Sequence, residues 1–335
     1  MRHNNISVFI PHLGCPHHCS FCDQNAITGV AHAPTAEEVE QLFFDAAQKF
    51  KGDPKETEAA FFGGSFTAIP EKYMRDLLKA GKRAVERYGW KGIRISTRPD
   101  AVSEKTLLLL REYGVTSIEL GAQSMDDRVL ELNERGHTAE AVREASRRIW
   151  EHGFELGLQM MVGLYGETRD TALTTAKEIG KLCPDTVRVY PVAVLRGTKL
   201  DRWRREEIYT PMTLEEGVPI CGEILEYFFE KGIPVIKFGL HASKEVEENI
   251  TGGIYHPALR ELCENEIYLR NARQKITDQK LEGAESVTFL VHEKGISKFI
   301  GQKRKNIQEL EMLLGCSIKV KGKKDLKLYQ VELEY

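Results

Sequence analysis

Apolar runs and helical patterns alternate along the first two thirds of this 335-residue chain. Strand-like runs occur at residues 6–10, 58–62, 92–98, 117–121, 155–162 and 186–191. Helical patterns separate these runs, so the alternation occurs six times. Strands that alternate with helices pair in parallel, because each helix crosses over to the next strand. We therefore predict an α/β protein, either an incomplete (β/α)6 barrel or an open doubly wound sheet.

Three cysteines follow directly after the first apolar run, in the pattern C-x3-C-x2-C: Cys15, Cys19 and Cys22. They are expected in a loop at the C-terminal end of a strand, where α/β proteins bind their ligands. Three thiolates suit a zinc ion if His17 or His18 supplies a fourth ligand. They also suit a 4Fe–4S cluster in which one iron stays open to a small molecule.

The other four cysteines are typical of a protein that keeps its thiols reduced. Cys183, Cys221, Cys263 and Cys316 are scattered and are interpreted as small buried side chains, so no second cluster is expected. An odd total of 7 cysteines does not suggest a disulfide framework. We see neither an apolar run long enough to span a membrane nor a secretion signal, and we predict a cytoplasmic location without membrane attachment.

The cysteine motif, with Phe21 before its last cysteine, resembles the signature of radical S-adenosylmethionine (SAM) enzymes. The resemblance implies an incomplete (β/α)6 TIM-like barrel that carries a 4Fe–4S cluster and SAM as cofactors. It implies that the open iron binds the amino and carboxylate groups of SAM. Reductive cleavage of SAM would then give a 5′-deoxyadenosyl radical.

Further blocks at residues 96–100, 119–124, 133–138 and 189–198 resemble one subgroup, the catalytic subunit of the Elongator tRNA-modifying complex and its bacterial and archaeal relatives. The resemblance covers residues 1 to about 215. The oxygen-independent coproporphyrinogen dehydrogenases share the same core and are the nearest alternative. The Elongator subunit carries an acetyltransferase-like domain after this core, and this chain has no such pattern. A carboxymethyl-type transfer that uses acetyl-CoA is therefore not expected.

The resemblance assigns roles to the residues that follow the first two strands. Cys15, Cys19 and Cys22 would ligate the cluster and so form the catalytic centre. A glycine motif after the second run would meet the methionine end of SAM; its members are Gly63, Gly64 and Ser65. A structural turn is the other interpretation of these glycines.

Later strand ends would supply the remaining contacts to SAM. Ser96 stands where relatives often carry a glutamate, and its hydroxyl brings no charge. Gln123 and Arg135 would face the ribose and the carboxylate, for which a bidentate guanidinium is suited. The last predicted contacts are Gln159 with the ribose, and Val162 and Gly163 beside the adenine.

Two residues of the predicted strands, Glu119 and Tyr190, carry polar groups whose surroundings must be accounted for. A buried Glu119 requires a partner, and Arg94 or Arg98 would serve. Tyr190, at a strand end, would either contact substrate or simply pack.

We divide the chain into a radical SAM core at residues 1–212, a helical extension over the barrel at residues 213–282 and a small unit at residues 283–335. The extension includes a last strand near residues 235–241 and a glycine-rich segment that would cover the barrel mouth. His241 and His256 are possible substrate contacts, although a structural role is favoured.

Residues 283–335 resemble a small α+β KH-type RNA-binding module. A G-x-x-G loop grips nucleotide backbone in such modules, and here Arg304 replaces its second glycine. Ten cations lie between residues 293 and 327 against four acids. A solvated lysine-rich tail would show the same excess. The predicted RNA contacts are Lys298, Gly301, Lys303, Arg304 and Lys305.

We therefore predict a radical SAM enzyme that modifies RNA, either tRNA or rRNA, and that receives electrons from a donor such as flavodoxin or ferredoxin. A first alternative keeps the chemistry but uses a tetrapyrrole or another small molecule. A second alternative is a non-catalytic RNA-binding protein that holds a metal cluster or zinc.

Overall fold

The computed structural model describes residues 4–16, 19–24, 32–279 and 286–334. His17 and His18, the predicted fourth ligands of a zinc ion, lie outside the described residues.

Seven parallel strands form the main sheet. The first eight strands along the chain are β1 Asn4–Ile10, β2 Thr57–Gly63, β3 Gly92–Thr97, β4 Val115–Gln123, β5 Glu155–Val162, β6 Thr186–Pro191, β7 Ala193–Leu195 and β8 Val235–Phe238. The main sheet has the order β1-β2-β3-β4-β5-β6-β8. A doubly wound sheet would reverse its strand order at a switch point, and this sheet does not. The predicted incomplete barrel is confirmed, with one strand more than the six expected.

Helices connect consecutive strands. They are α1 Ala36–Lys49, α2 Glu71–Tyr88, α3 Glu104–Glu112, α4 Asp127–Leu132, α5 Ala139–Glu151, α6 Arg169–Lys181, α7 Lys199–Arg205 and α8 Leu214–Glu230. The capping box that the sequence predicts at Thr35 and Glu38 is present: the Thr35 hydroxyl accepts from the Glu38 amide, and the Glu38 carboxylate accepts from the Thr35 amide. Apolar helix faces pack on the sheet, with Leu77, Val142 and Ile149 fully buried.

The segment predicted as a helical extension contributes to the barrel itself. Strand β8 pairs in parallel with β6, so the sheet extends past residue 212. Two more elements follow, α9 Lys244–Asn249 and β9 Ile250–Gly253. Strand β9 pairs antiparallel with β7. These short strands were not expected from the sequence.

Charged side chains lie between the strands on the inner side of the barrel. Arg94 donates from Nε to Glu58 at 2.6 Å and from Nη1 to Glu119 at 3.1 Å. Arg188 donates to Glu119 at 2.8 Å. The expected pairing of Glu119 with Arg94 is confirmed; the pairing with Arg98 is wrong, because Arg98 binds Asp100. The partner that the sequence did not indicate is Arg188.

Helix α10 Leu259–Gln279 precedes the C-terminal unit, which consists of β10 Ser286–Val291, α11 Ile296–Ile300, α12 Lys305–Leu314, β11 Ser317–Gly322 and β12 Val331–Glu334. Its sheet has the order β11-β10-β12, with β10 parallel to β11 and antiparallel to β12. Tyr268 on α10 joins this unit to the rest, because its hydroxyl accepts from the Tyr329 amide at 3.1 Å and its ring lies 6.0 Å from that of Phe299.

Across the described ranges, no helix combines the length and the apolar character needed to cross a membrane.

Candidate active site

A cavity of about 550 Å³ opens among the C-terminal ends of the parallel strands. All three motif cysteines border it. Of the other predicted SAM contacts, those that line the cavity are Phe21, Gly63, Gly64, Ser96, Gln123, Arg135 and Gln159. These residues come from six separate segments of the chain, and the fold brings them to one place.

The cysteine loop is held by contacts to distant turns. The Ser20 amide and hydroxyl donate to the backbone and side-chain oxygens of Asn133, at 3.2 and 2.7 Å. The Ser20 carbonyl accepts from the Leu200 amide at 2.9 Å. Gln24 donates from Nε2 to the Gly63 carbonyl at 2.8 Å. The loop is thus attached to the barrel mouth on three sides.

The glycine pair after β2 has a structural reason of its own. A β-carbon on Gly63 would lie 2.6 Å from the Ile10 carbonyl oxygen, and one on Gly64 would lie 1.9 Å from that of Leu13. Gly63 also has a φ of 113°, which a side chain disfavours. The glycines therefore let the cysteine loop lie directly on the end of β2, while both still face the cavity.

The thiols are electrostatically coupled to one another and to arginine. Burial and then the neighbouring Cys19 raise the pKa of Cys15 above its ordinary value. Burial, followed by the other two thiols, raises the pKa of Cys22 to about 12. Arg135 opposes both increases in pKa, and it donates from Nη1 to the Cys19 sulfur at 2.9 Å. A bound cation would stabilise the thiolates that this crowding disfavours.

The donor set fits a cluster held by three thiolates. Soft sulfur ligands select iron–sulfur clusters or zinc, and the cavity beside these thiols leaves room for a further ligand. Within the described residues, no three His, Cys, Asp or Glu side chains, these cysteines included, already stand close enough together to hold a metal ion. Because Cys15, Cys19 and Cys22 border one cavity and supply the sulfur ligands that such a cluster prefers, they are the residues that would hold it.

Four side chains that line the cavity have a buried polar atom without a hydrogen bond among the described residues: Arg98, Gln123, Arg135 and Arg188. Among the described residues, Gln123 Oε1 and Arg135 Nε make no hydrogen bond. Gln123 has a φ of 67°, an uncommon conformation for a residue other than glycine. Buried polar atoms normally find partners, so these atoms point to a ligand in the cavity.

Other predicted contacts have partners within the protein. Gln159 lines the cavity but donates to Glu119 at 2.8 Å. The Ser65 hydroxyl is buried against the Thr97 hydroxyl at 2.8 Å. Neither Ser65 nor Val162 belongs to the cavity lining; Val162 is fully buried in the core.

The turn after β5 contains a residue that the sequence reading missed. Glu167 accepts from the Gly163 amide at 2.6 Å, and Tyr209 donates to the Gly163 carbonyl at 2.7 Å. Burial raises the pKa of Glu167 to about 8. A glutamate four residues after a strand-end glycine was the available sequence signal. Of the predicted histidines, His241 lines the cavity, whereas His256 accepts from the Ala258 amide before α10.

The predicted G-x-x-G-like turn does lie between two helices, α11 and α12. Gly301, Lys303 and Arg304 have φ values of 76°, 51° and 62°, so Arg304 adopts the left-handed conformation that a second glycine would favour. Lys303, Arg304 and Lys305 are exposed. Their side chains project from one short turn.

Several cations of the predicted basic patch are neutralised. Lys298 pairs with Glu264 on α10 at 2.6 Å. Lys321 pairs with Glu334 at 2.6 Å and Lys323 with Glu332 at 2.9 Å. Three of the ten cations are thus paired, and the turn holds three of the other seven.

Comparison with known proteins agrees with this geometry. The Radical SAM superfamily model matches residues 9–179, and the Radical_SAM C-terminal domain model matches residues 184–269. Among solved structures, the archaeal Elp3 of Methanocaldococcus infernus, with its N-terminus deleted, superposes with a TM-score of 0.61 at 20% identity. That superposition covers 84% of this chain and 64% of the archaeal one, and it supports the fold.

Curated relatives point to the same group. The tRNA uridine(34) acetyltransferase of Dehalococcoides mccartyi is 28% identical over 239 residues, which are 62% of this chain and 52% of that protein. Human Elongator complex protein 3 is 32% identical over 236 residues, 62% of this chain and 41% of the human protein. The chain thus spans about half the length of these relatives. From the superfamily match, the cysteine motif and the incomplete barrel together, we conclude that this chain belongs to the radical SAM superfamily.

Proposed function

We propose that this protein is a radical SAM enzyme that modifies RNA, a tRNA or an rRNA, with the cavity as its active site and the turn at Lys303–Lys305 as a contact for RNA backbone. The observation that carries the first part is the convergence of three thiols, two glycines and four incompletely paired polar side chains on one cavity. The name of the relative from Dehalococcoides mccartyi, a tRNA uridine(34) acetyltransferase, supports the RNA substrate.

Different residues of the cavity would bind different groups of SAM. A 4Fe–4S cluster with SAM supplies a one-electron cleavage that generates the 5′-deoxyadenosyl radical. Arg135 offers a positive charge for a carboxylate, and Gln123 offers a free acceptor for a ribose hydroxyl. Apolar side chains around them exclude water from the site: Phe9, Phe62, Met161, Ala193 and Leu195.

The turn at Lys303–Lys305 is connected to the edge of the cavity through the start of α10. Leu240 and His241 line the cavity just after Gly239, whose α-carbon faces Leu259 at the start of α10. Two residues further along α10, Glu261 accepts from Gln302 of the turn at 3.4 Å. A nucleotide chain held by exposed cations at this turn would therefore lie near the cavity mouth. A target base would enter the cavity unpaired or flipped out of its helix.

The test is release of 5′-deoxyadenosine from SAM by anaerobically reconstituted protein, supplied with a chemical reductant or with flavodoxin or ferredoxin. We expect release that total cellular RNA stimulates and that ribonuclease treatment of the RNA abolishes. Mass spectrometry of the digested nucleosides then identifies the modified position.

A variant with Cys15, Cys19 and Cys22 all replaced by serine should release none. Cys183→Ser should behave as wild type, because Cys183 is exposed and not buried as predicted from the sequence. Release of 5′-deoxyadenosine that does not depend on RNA would favour a small-molecule substrate. No release from protein with measured iron and sulfide would favour a non-catalytic RNA-binding protein.

A further inference from the structure

Two cationic side chains lie next to each other on the inner face of the barrel. Arg188 on β6 is the register partner of Lys237 on β8, and both side chains line the cavity. Like charges directly opposite each other on a sheet are destabilising. This pair therefore needs a compensating anion or a functional reason.

The available carboxylate is already shared. Glu119 accepts from Arg188 at 2.8 Å, from Arg94 at 3.1 Å and from Gln159 at 2.8 Å. Lys237 has no Asp or Glu within ion-pair distance among the residues that the structure describes. Its half-buried position and the charge of Arg188 lower the pKa of Lys237 below its ordinary value. The positive charge of Lys237 is thus uncompensated in a partly desolvated place.

Aromatic and polar groups surround the two cations. The Arg188 guanidinium lies 4.8 Å from the centre of the Phe62 ring, and the Phe9 ring lies 6.3 Å from that of Phe62. With its amide oriented to accept, Asn5 bonds to Arg188 Nη2 at 3.2 Å. Arg188, Lys237, Phe9, Phe62 and Asn5 all line the cavity, and we call them the cationic recess.

We propose that the cationic recess binds the anionic group, a phosphate or a carboxylate, of a substrate other than SAM. Lys237 supplies the unpaired charge, Arg188 supplies directed donors, and the rings of Phe9 and Phe62 accept a flat apolar group attached to the anion. The inference rests on the proposed function in one respect: the recess adjoins the proposed SAM site. The anion belongs either to the RNA itself or to a small second substrate.

The test measures binding to the full chain, with and without its cluster and without reductant, so that no turnover occurs. The probes are phenyl phosphate and benzoate, with benzyl alcohol as the neutral analogue, and affinity is measured by calorimetry. Lys237→Gln removes the charge, and Lys79→Gln on the outer helix α2 is the matched control. In parallel, a pulse of acetic anhydride followed by peptide mass spectrometry reports the accessibility of each lysine.

We expect the wild-type protein and Lys79→Gln to bind at least one anionic probe with the same affinity. Lys237→Gln should bind that probe at least tenfold more weakly. In the wild-type protein, the probe should slow acetylation of Lys237 at least threefold without slowing that of Lys79. RNA that competes with the probe identifies the anion as an RNA phosphate; RNA that binds beside it identifies a small second substrate. Both results support the recess.

Equal affinity in Lys237→Gln, equal protection by benzyl alcohol, or displacement of the probe by SAM would overturn the proposal. The protein without its cluster separates this failure from failure of the proposed function, because the recess should bind the anion there even if no 5′-deoxyadenosine is ever released.

Discussion

Arg135 donates a hydrogen bond to the sulfur of Cys19 at 2.9 Å, across 116 residues of sequence. Its second terminal nitrogen donates to the Gly121 carbonyl at 2.6 Å, and its guanidinium lies 5.8 Å from the centre of the Phe21 ring. One buried side chain therefore links the end of β4, the cysteine loop and the cavity. From this position, Arg135 can contact both the proposed cluster and the proposed SAM.

Replacing Arg135 with glutamine should weaken SAM binding by about 10- to 100-fold, because charge-assisted hydrogen bonds contribute about 1.5–3 kcal/mol. Equilibrium dialysis with cluster-loaded, unreduced protein measures this affinity. Arg128→Gln, on an exposed arginine of α4, is the control. Unchanged SAM affinity in a folded, cluster-loaded Arg135→Gln protein would show that Arg135 does not contact SAM.

The buried network around Glu119 should be a major contributor to stability. Glu119→Ala leaves Arg188 with an uncompensated charge and Arg94 with Glu58 as its remaining close partner, and breaking a buried ion pair in this way costs about 3–5 kcal/mol. Urea denaturation of the protein measures the loss. Glu112→Ala, at the exposed end of α3, should change the free energy of unfolding by less than about 0.5 kcal/mol. A loss below about 1 kcal/mol in Glu119→Ala would contradict the network's importance.

Glu167 should make stability depend on pH. Its pKa is raised to about 8 in the folded protein by burial, so the folded state retains the proton while the unfolded state releases it near pH 4.5. Its contribution to stability is complete below that pH and falls by about 1.4 kcal/mol per unit as the pH rises towards 8.

Glu167→Gln keeps an acceptor for the Gly163 amide but cannot ionise. In thermal melts of both proteins at pH 5, 6, 7 and 8, the melting temperature of the variant should increase relative to that of the wild type as the pH rises. Parallel curves would mean that Glu167 titrates near its ordinary pKa.

Exposed cations at the turn should carry RNA affinity, while paired lysines should not. Lys303→Gln with Arg304→Gln should weaken RNA binding about tenfold and reduce the slope of log affinity against log salt by about 1.5, because two phosphate contacts are lost. Lys321→Gln with Lys323→Gln removes two charges that Glu334 and Glu332 already neutralise. If both double variants lose RNA affinity equally, the effect is general electrostatics rather than the turn.

Local patterns in the sequence are enough to predict β1–β6, the helices between them and the place of the cysteine loop. The SAM contacts were predicted from the resemblance to radical SAM enzymes, and those that border the cavity lie together because parallel strand ends meet at one edge of the sheet. Pairings that depend on distant contacts were missed. Strands β7 and β9 have 3 and 4 residues, which are too few to show an alternating hydrophobic pattern. These two strands pair with each other across distant parts of the sequence.

The pairing of Lys298 with Glu264 and that of Arg188 with Glu119 likewise become visible only when separate elements pack together. Ser65 illustrates the same limit, because a motif position gives no information about whether a hydroxyl faces a cavity or a neighbouring threonine. The composition of the C-terminal unit indicated its charge but not how much of it is neutralised.

The central claim is that three thiols and SAM share one cavity. Electron paramagnetic resonance of the anaerobically reduced, cluster-loaded protein tests it most directly, with spectra recorded before and after SAM is added. We predict the signal of a reduced 4Fe–4S cluster that changes when SAM binds at its open iron. A cluster signal that stays the same at saturating SAM, in protein with full iron and sulfide content, would contradict the account.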